Sequence, residues 1–284
     1  MRNVYLLVVV LLLSVVSTNA QNSRTATATS YLERGNNWFS KGDYEQAIAD
    51  YDLAIASAPS LANGYHNRAI AHYRKGNFDS ALADFDRVIQ LAPREAEAWF
   101  SRGLVRRDRG DLEKALADFK AAIELNPRLI EAWLTRAELR FFRQDYDGAI
   151  SDNTKAIQLG TRDVRAWSNR GAARQSKGDL DGAMRDYNYA IELDPQAAKV
   201  WFNRAAAWRD KGDLTRATSD YDQAIALNPH WASAFAQRGL IYLQRGREAE
   251  AQHDFEQCLV LDKSLQDSLA QEIQKVRPSI IAKQ

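Results

Sequence analysis

From Ala28 to Leu265 the chain repeats itself every 34 residues, seven times, without insertion or deletion. Ala96–Leu129, AEAWFSRGLVRRDRGDLEKALADFKAAIELNPRL, shows the unit clearly. Its pattern predicts two short amphipathic helices, about Glu97–Arg109 and Leu112–Leu125, joined at Gly110-Asp111 and closed by Asn126-Pro127. Trp99, Gly103 and Arg106 share one face of the first helix, as do Ala115, Phe119 and Ala122 on the second. Gly103 and Ala115 are small where the helices cross, and Trp99 and Phe119 are large beside them, so an antiparallel pair can approach closely. One such hairpin cannot bury both apolar faces, whereas a stack of them can.

The columns are regular. The first aromatic slot holds Tyr31, Tyr65, Trp99, Trp133, Trp167, Trp201 and Phe235, and four residues later come Gly35, Ala69, Gly103, Ala137, Gly171, Ala205 and Gly239. The second helix keeps Ala47, Ala81, Ala115, Ala149, Ala183, Ala217 and Ala251. Tyr51, Phe85, Phe119, Tyr187, Tyr221 and Phe255 form the second aromatic slot, and Pro59, Pro93, Pro127, Pro195 and Pro229 close their units. On these residues the chain resembles the tetratricopeptide repeat (TPR) proteins, whose unit carries W-x2-L-G-x2-Y, then A-x3-F, then P. The resemblance implies an all-α fold, a right-handed superhelical solenoid of seven antiparallel helix pairs with first helices on the concave side. It also implies a protein–protein interaction scaffold rather than an enzyme, with no cofactor.

The repeats run 28–61, 62–95, 96–129, 130–163, 164–197, 198–231 and 232–265. Asp43, Asn77, Asp111, Asp145, Asp179 and Asp213 stand where helix N-caps are needed. Repeat four is irregular: Gln144 replaces the turn glycine, Asn153 the aromatic and Gly160-Thr161 the pair ending in proline. These departures fit either drift in a tolerant repeat or a hinge. After Lys263, Ser264 and Asp267 resemble a capping box. An amphipathic capping helix is expected over 265–277, with Leu265, Leu269, Ile273 and Val276 on one side, stopped by Pro278 and followed by a tail, 278–284.

Residues 1–20 differ from all that follows. Arg2 precedes the apolar run Val4–Val16, and Ser17-Thr18-Asn19-Ala20 supplies small residues before an expected cleavage point. The run is short for a membrane span, which needs about 20 residues. A signal peptide over 1–20, a flexible lead over 21–27 and a periplasmic or secreted mature protein are therefore expected, with an uncleaved anchor as the alternative. Without Arg2 the chain carries 37 basic and 37 acidic groups, and it has no basic run, which disfavours nucleic acid. Cys258 is the sole cysteine, so no internal disulfide can form, and it takes a slot that alanine fills elsewhere.

One periodic feature departs from the family pattern. Arg34, Arg68, Arg102, Arg136, Arg170, Arg204 and Arg238 precede the small residue, and sixteen residues later stand Asp50, Asp84, Asp118, Asp152, Asp186, Asp220 and Asp254. Their positions predict an ion pair across each hairpin, a structural ladder rather than an anion-binding row. Next to the core stripe of the first helices lies a second stripe: Leu32, Asn36, Phe39; His66, Ile70, Tyr73; Phe100, Leu104, Arg107; Leu134, Glu138, Phe141; Ser168, Ala172, Gln175; Phe202, Ala206, Arg209; Ala236, Leu240, Leu243. It either packs on the neighbouring repeat or forms a groove for an extended peptide or partner helix. The groove candidates are Phe39, Tyr73, Phe100, Leu104, Leu134, Phe141, Asn169, Lys199, Phe202 and Asn203.

The resemblance also implies a clamp that some members use for C-terminal carboxylates. Asn169, Lys199 and Asn203 imitate part of it, but Glu138 would repel a carboxylate. His66, His72, His230 and His253 are scattered and form no metal pair, and no motif supplies a nucleophile, base and oxyanion donors together. The expected role is an exported adaptor that holds a protein partner. The alternatives are a subunit of an envelope-assembly complex, or an accessory subunit presenting substrate to a separate enzyme.

Overall fold

A computed structural model describes residues 23–281, with side chains to Val276; the expected signal sequence lies outside the described residues. All regular structure among them is helical. In chain order the helices are α1 (23–40), α2 (Tyr44–Ser57), α3 (Ala62–Arg74), α4 (Phe78–Leu91), α5 (Ala96–Arg109), α6 (Leu112–Leu125), α7 (Ile130–Phe142) and α8 (Tyr146–Gln158). Then come α9 (Val164–Ser176), α10 (Leu180–Leu193), α11 (Ala198–Asp210), α12 (Leu214–Leu227), α13 (Ala232–Gln244), α14 (Glu248–Leu261), a 3-10 turn at Lys263–Leu265, and α15 (Gln266–Ile281). Two compact units divide the chain, residues 1–132 and 133–284.

In the first unit α3 packs on α4 and α5 on α6, while α2 packs on α3 and α4 on α5. The second unit repeats this logic: α9 with α10, α11 with α12 and α13 with α14 form hairpins, and α8, α10 and α12 each touch the next first helix. The hairpin interfaces are built from the invariant alanine column and the aromatic column beside it, which only Asn153 interrupts. Ala115 and Phe119 are fully buried, as are Ala183 and Tyr187. The small residue opposite the ring is required by the close approach: a Cβ on Gly103 would lie 2.6 Å from a ring carbon of Phe119. The turn between paired helices needs a left-handed residue, supplied by Gly110 at φ 93°. In repeat four Gln144 adopts that conformation, at φ 63°.

Several boundary expectations change. Residues 23–27 are helical rather than a flexible lead, with Thr27 and Thr29 donating their hydroxyls to carbonyls one turn back. Of the six expected caps, Asp145, Asp179 and Asp213 accept a backbone N–H through the side chain, whereas Asp43, Asn77 and Asp111 do not; Asp163 caps α9 in the same way. The Asp111 carboxylate is engaged by Arg109 instead. Ser264 donates to Asp262 at 2.6 Å and so is not a capping-box serine. The last helix continues to Ile281, past Pro278; proline forfeits its own donor, yet residues after it can still bond one turn back. Leu269 is buried among Leu240, Leu243 and Phe255, with Leu265, Ile273 and Val276 packed around them, so this helix covers the end of the last hairpin. Cys258 is buried in the same cluster, and desolvation raises its thiol pKa, as an inert core residue requires.

Candidate partner-binding face

The arginine–aspartate columns meet in all seven repeats. In repeat three, Arg102 Nε donates to Asp118 Oδ2 at 3.0 Å and Nη2 to Oδ1 at 2.7 Å, and the same two-pronged contact recurs from Arg34–Asp50 to Arg238–Asp254. The third prong reaches the preceding repeat. Nη1 of Arg68, Arg102 and Arg238 bonds Asp52, Asp86 and Asp222, and that of Arg170 and Arg204 bonds Thr154 and Asn188. Each guanidinium also lies over the aromatic ring three residues earlier, from 4.7 Å at Trp201 to 5.6 Å at Tyr65 and Phe235. Arg238 is held above its ordinary pKa because the hydrogen bond it donates to Asp254 outweighs burial. Sequence spacing predicts the ion pair; its two-pronged form is seen only in the structure, and the ring contact follows from the i, i+3 offset of aromatic and arginine. In repeats three to five the aspartate takes a second arginine, Arg106, Arg140 or Arg174.

The second stripe divides by depth. Its first position packs across the hairpin: Phe100 lies 5.7 Å from Phe119 and His66 5.6 Å from Phe85. Phe202 lies 5.3 Å from Tyr221 and stacks on Trp231 at 4.5 Å. Leu134 has no exposed surface, so it is core and not part of a groove. Phe39 and Tyr73 pack on the start of their partner helices, against Tyr44 and Phe78, and the Tyr73 hydroxyl donates to Asp108. Leu104 is half-buried. Burial lowers the His66 pKa, against a weaker opposing effect of Glu95 and Glu97.

The second unit has an open cleft where three successive first helices, α7, α9 and α11, converge. Glu138, Phe141, Asn169, Ala172, Lys199 and Asn203 line a volume of about 460 Å³. A second depression of about 330 Å³ shares Phe141, Ala172 and Asn203 and adds Gln175, Tyr187, Ala206 and Asp210. The opening has a simple cause. The column that carries Ile70, Leu104 and Leu240 carries alanine at Ala172 and Ala206. Polar atoms are held in place around it. Asn169 Nδ2 donates to Glu138 Oε1 at 3.2 Å, and Asn203 Nδ2 to Ser168 Oγ at 3.4 Å. Tyr187 donates to Gln175 Oε1 at 2.9 Å, and Gln175 Nε2 to Asp210 at 2.7 Å. Burial raises the Tyr187 pKa, so its hydroxyl stays a donor. Of the sequence candidates the structure brings together Phe141, Asn169, Lys199 and Asn203. Ala172 and Ala206 stand on the second stripe but not among the groove candidates, and two successive small residues in an otherwise mixed column are the available signal. Phe142, beside the cleft in sequence, is 74% exposed where the other repeats hold polar residues. No described group of three or more His, Cys, Asp or Glu is arranged to hold a metal, and no described helix is long and apolar enough to cross a membrane.

Sequence profiles of the tetratricopeptide repeat match residues 66–130, 164–196, 198–231 and 232–264, and a TPR repeat profile matches 35–76. Among solved structures, a tetratricopeptide repeat protein from Parabacteroides merdae is similar at 22% identity, with a TM-score of 0.69 over 88% of this chain and 99% of the other. The C-terminal part of a TPR repeat-containing protein from Cytophaga hutchinsonii shows 17% identity and a TM-score of 0.67, covering 82% and 95%. YrrB, described as a TPR protein with an unusual peptide-binding site, shows 21% identity and a TM-score of 0.58, covering 66% and 97%. A comparison with curated proteins gives no significant match. Stacked antiparallel helix pairs with these columns define a helical repeat protein. The chain belongs to the tetratricopeptide repeat family, a class of protein-interaction scaffolds.

Proposed function

We propose that this protein is a non-catalytic adaptor that binds an extended segment of a partner protein along α7, α9 and α11. The observation that carries the reading is the pair of adjoining depressions floored by Ala172 and Ala206, with Asn169 and Asn203 beside them. A side-chain amide can donate to a peptide carbonyl and accept from a peptide N–H, so two amides one repeat apart suit a backbone rather than a particular residue. Phe141 adds an apolar surface and Lys199 a mobile charge. The description of YrrB as having a peptide-binding site is in keeping with this use of the fold. Export is part of the proposal, since residues 1–20 have the layout of a secretory signal.

The test is a peptide-display selection against the full chain, followed by fluorescence anisotropy. Asn169→Ala with Asn203→Ala should weaken the selected peptides at least about tenfold, the equivalent of about 1.4 kcal/mol, while the circular-dichroism melt stays within about 2 °C of the parent (a surface change of about 0.5 kcal/mol). Undiminished binding by that double variant would exclude the cleft.

A further inference from the structure

We propose that the cleft selects a peptide carrying a lysine or arginine, its charged head on Glu138 and its aliphatic stem along Phe141, with an acidic group further on against Lys199. The inference rests on the cleft reading above and adds a sequence preference to it. Its basis is a mismatch in the charge pairing of the second unit. Several carboxylates on the helices around it are matched: Asp147 by Lys177, Asp181 by Lys211, and Asp152 and Asp186 by two arginines each. Glu138 and Lys199 form no ion pair with any described residue. They stand on opposite sides of α9, one on α7 and one on α11, lining the same cleft.

Glu138 is also the one charge in its column, which reads Asn36, Ile70, Leu104, Glu138, Ala172, Ala206 and Leu240. Six repeats fold with a neutral residue there, so stacking does not require a carboxylate. The side chain is only partly exposed. Its contact from Asn169 is a neutral donor, which orients one oxygen without cancelling the charge. A half-buried carboxylate left uncompensated costs solvation, which an incoming cation recovers. Phe141 lies one turn along the same helix, where it can lie against the methylenes of a lysine or the plane of an arginine. A C-terminal carboxylate as the main anchor is disfavoured because Glu138 would repel it.

The experiment uses the full chain and a positional library of fluorescein-labelled octapeptides, each sub-library fixing Lys, Arg, Glu or Phe at one position and randomising the rest. The expected result is tightest binding where Lys or Arg is fixed at one internal position, weakening as salt rises from 50 to 500 mM, where screening is far stronger (Debye length of about 14 Å against about 4 Å). Glu138→Gln should reduce that preference roughly tenfold. Glu138→Lys should reverse it toward Glu, an outcome that a merely structural role for Glu138 would not produce. Lys199→Glu should remove any preference for an acidic position while leaving the basic one. Binding with no charge preference, or a preference unchanged by Glu138→Gln, overturns this inference and leaves the cleft reading intact. Absence of binding by every sub-library overturns both.

Discussion

Arg170 and Arg204 make the same fork, yet their removal leaves different remnants. Asp186 keeps Arg174 at 2.8 Å when Arg170 is truncated, whereas Asp220 has Arg204 as its ion-pair partner and loses it. A buried carboxylate stripped of its cation costs about 3–5 kcal/mol, and one that keeps a second cation far less. Arg204→Ala should therefore lower the melting temperature clearly more than Arg170→Ala, as measured by calorimetry on the two variants. Equal losses would show that the ring contacts and not the forks carry the stabilisation. His66 gives a pH-dependent counterpart. Burial keeps its pKa below the ordinary 6.5, so the folded chain takes up the proton less readily than the unfolded one. Stability from this group is complete above about pH 6.5 and declines as the pH falls toward the folded value. His66→Phe installs the residue that repeats three and six carry in the same column, at Phe100 and Phe202. Melts at about pH 7.5 and about pH 5.5 should show the variant's advantage growing on the acid side of the ordinary imidazole range; parallel curves would contradict the assignment.

At the scale of elements, repeat four concentrates the broken rules. Gln144 holds a left-handed backbone that glycine holds in the equivalent turns. Asn153 is fully buried, bonds Ala149 carbonyl through Nδ2 at 2.9 Å, and leaves Oδ1 without a protein partner. Trp167 also lacks an acceptor, whereas Trp99 and Trp201 donate to the carbonyls of Pro93 and Pro195 six residues before them. The residue six before Trp167 is Thr161, where the closing loop has lost its proline. Gln144→Gly removes a side chain from an unfavourable conformation at the cost of a looser unfolded chain, for a net gain of about 0.5–1 kcal/mol. Urea unfolding would check it: the midpoint should rise, and a fall would mean the Gln144 side chain has a stabilising role of its own. These irregularities were visible in the sequence as substitutions. Their consequences were not, because they depend on which partner atom each replacement fails to reach.

Across the whole molecule, the helix pairing, the crossing columns and the seven ion pairs were legible because each follows from a period read seven times. The cleft was less legible. Ala172 and Ala206 matter for what they fail to fill, and the sequence shows Glu138 only as an obstacle to a carboxylate, since the absence of an opposite charge beside it depends on how the helices pack. Leu134 was misplaced for a related reason: two adjacent stripes on a helix differ by a small rotation, and only the packed structure tells which is covered. Partners are proposed to be held along α7, α9 and α11. Carboxyl and amine footprinting of the full chain, with and without a display-selected peptide, checks this. The peptide should shield Glu138 and Lys199 while leaving Lys155 on α8 and Glu192 on α10 as reactive as before; shielding of the latter pair, with Glu138 and Lys199 unchanged, would rule out binding along these helices.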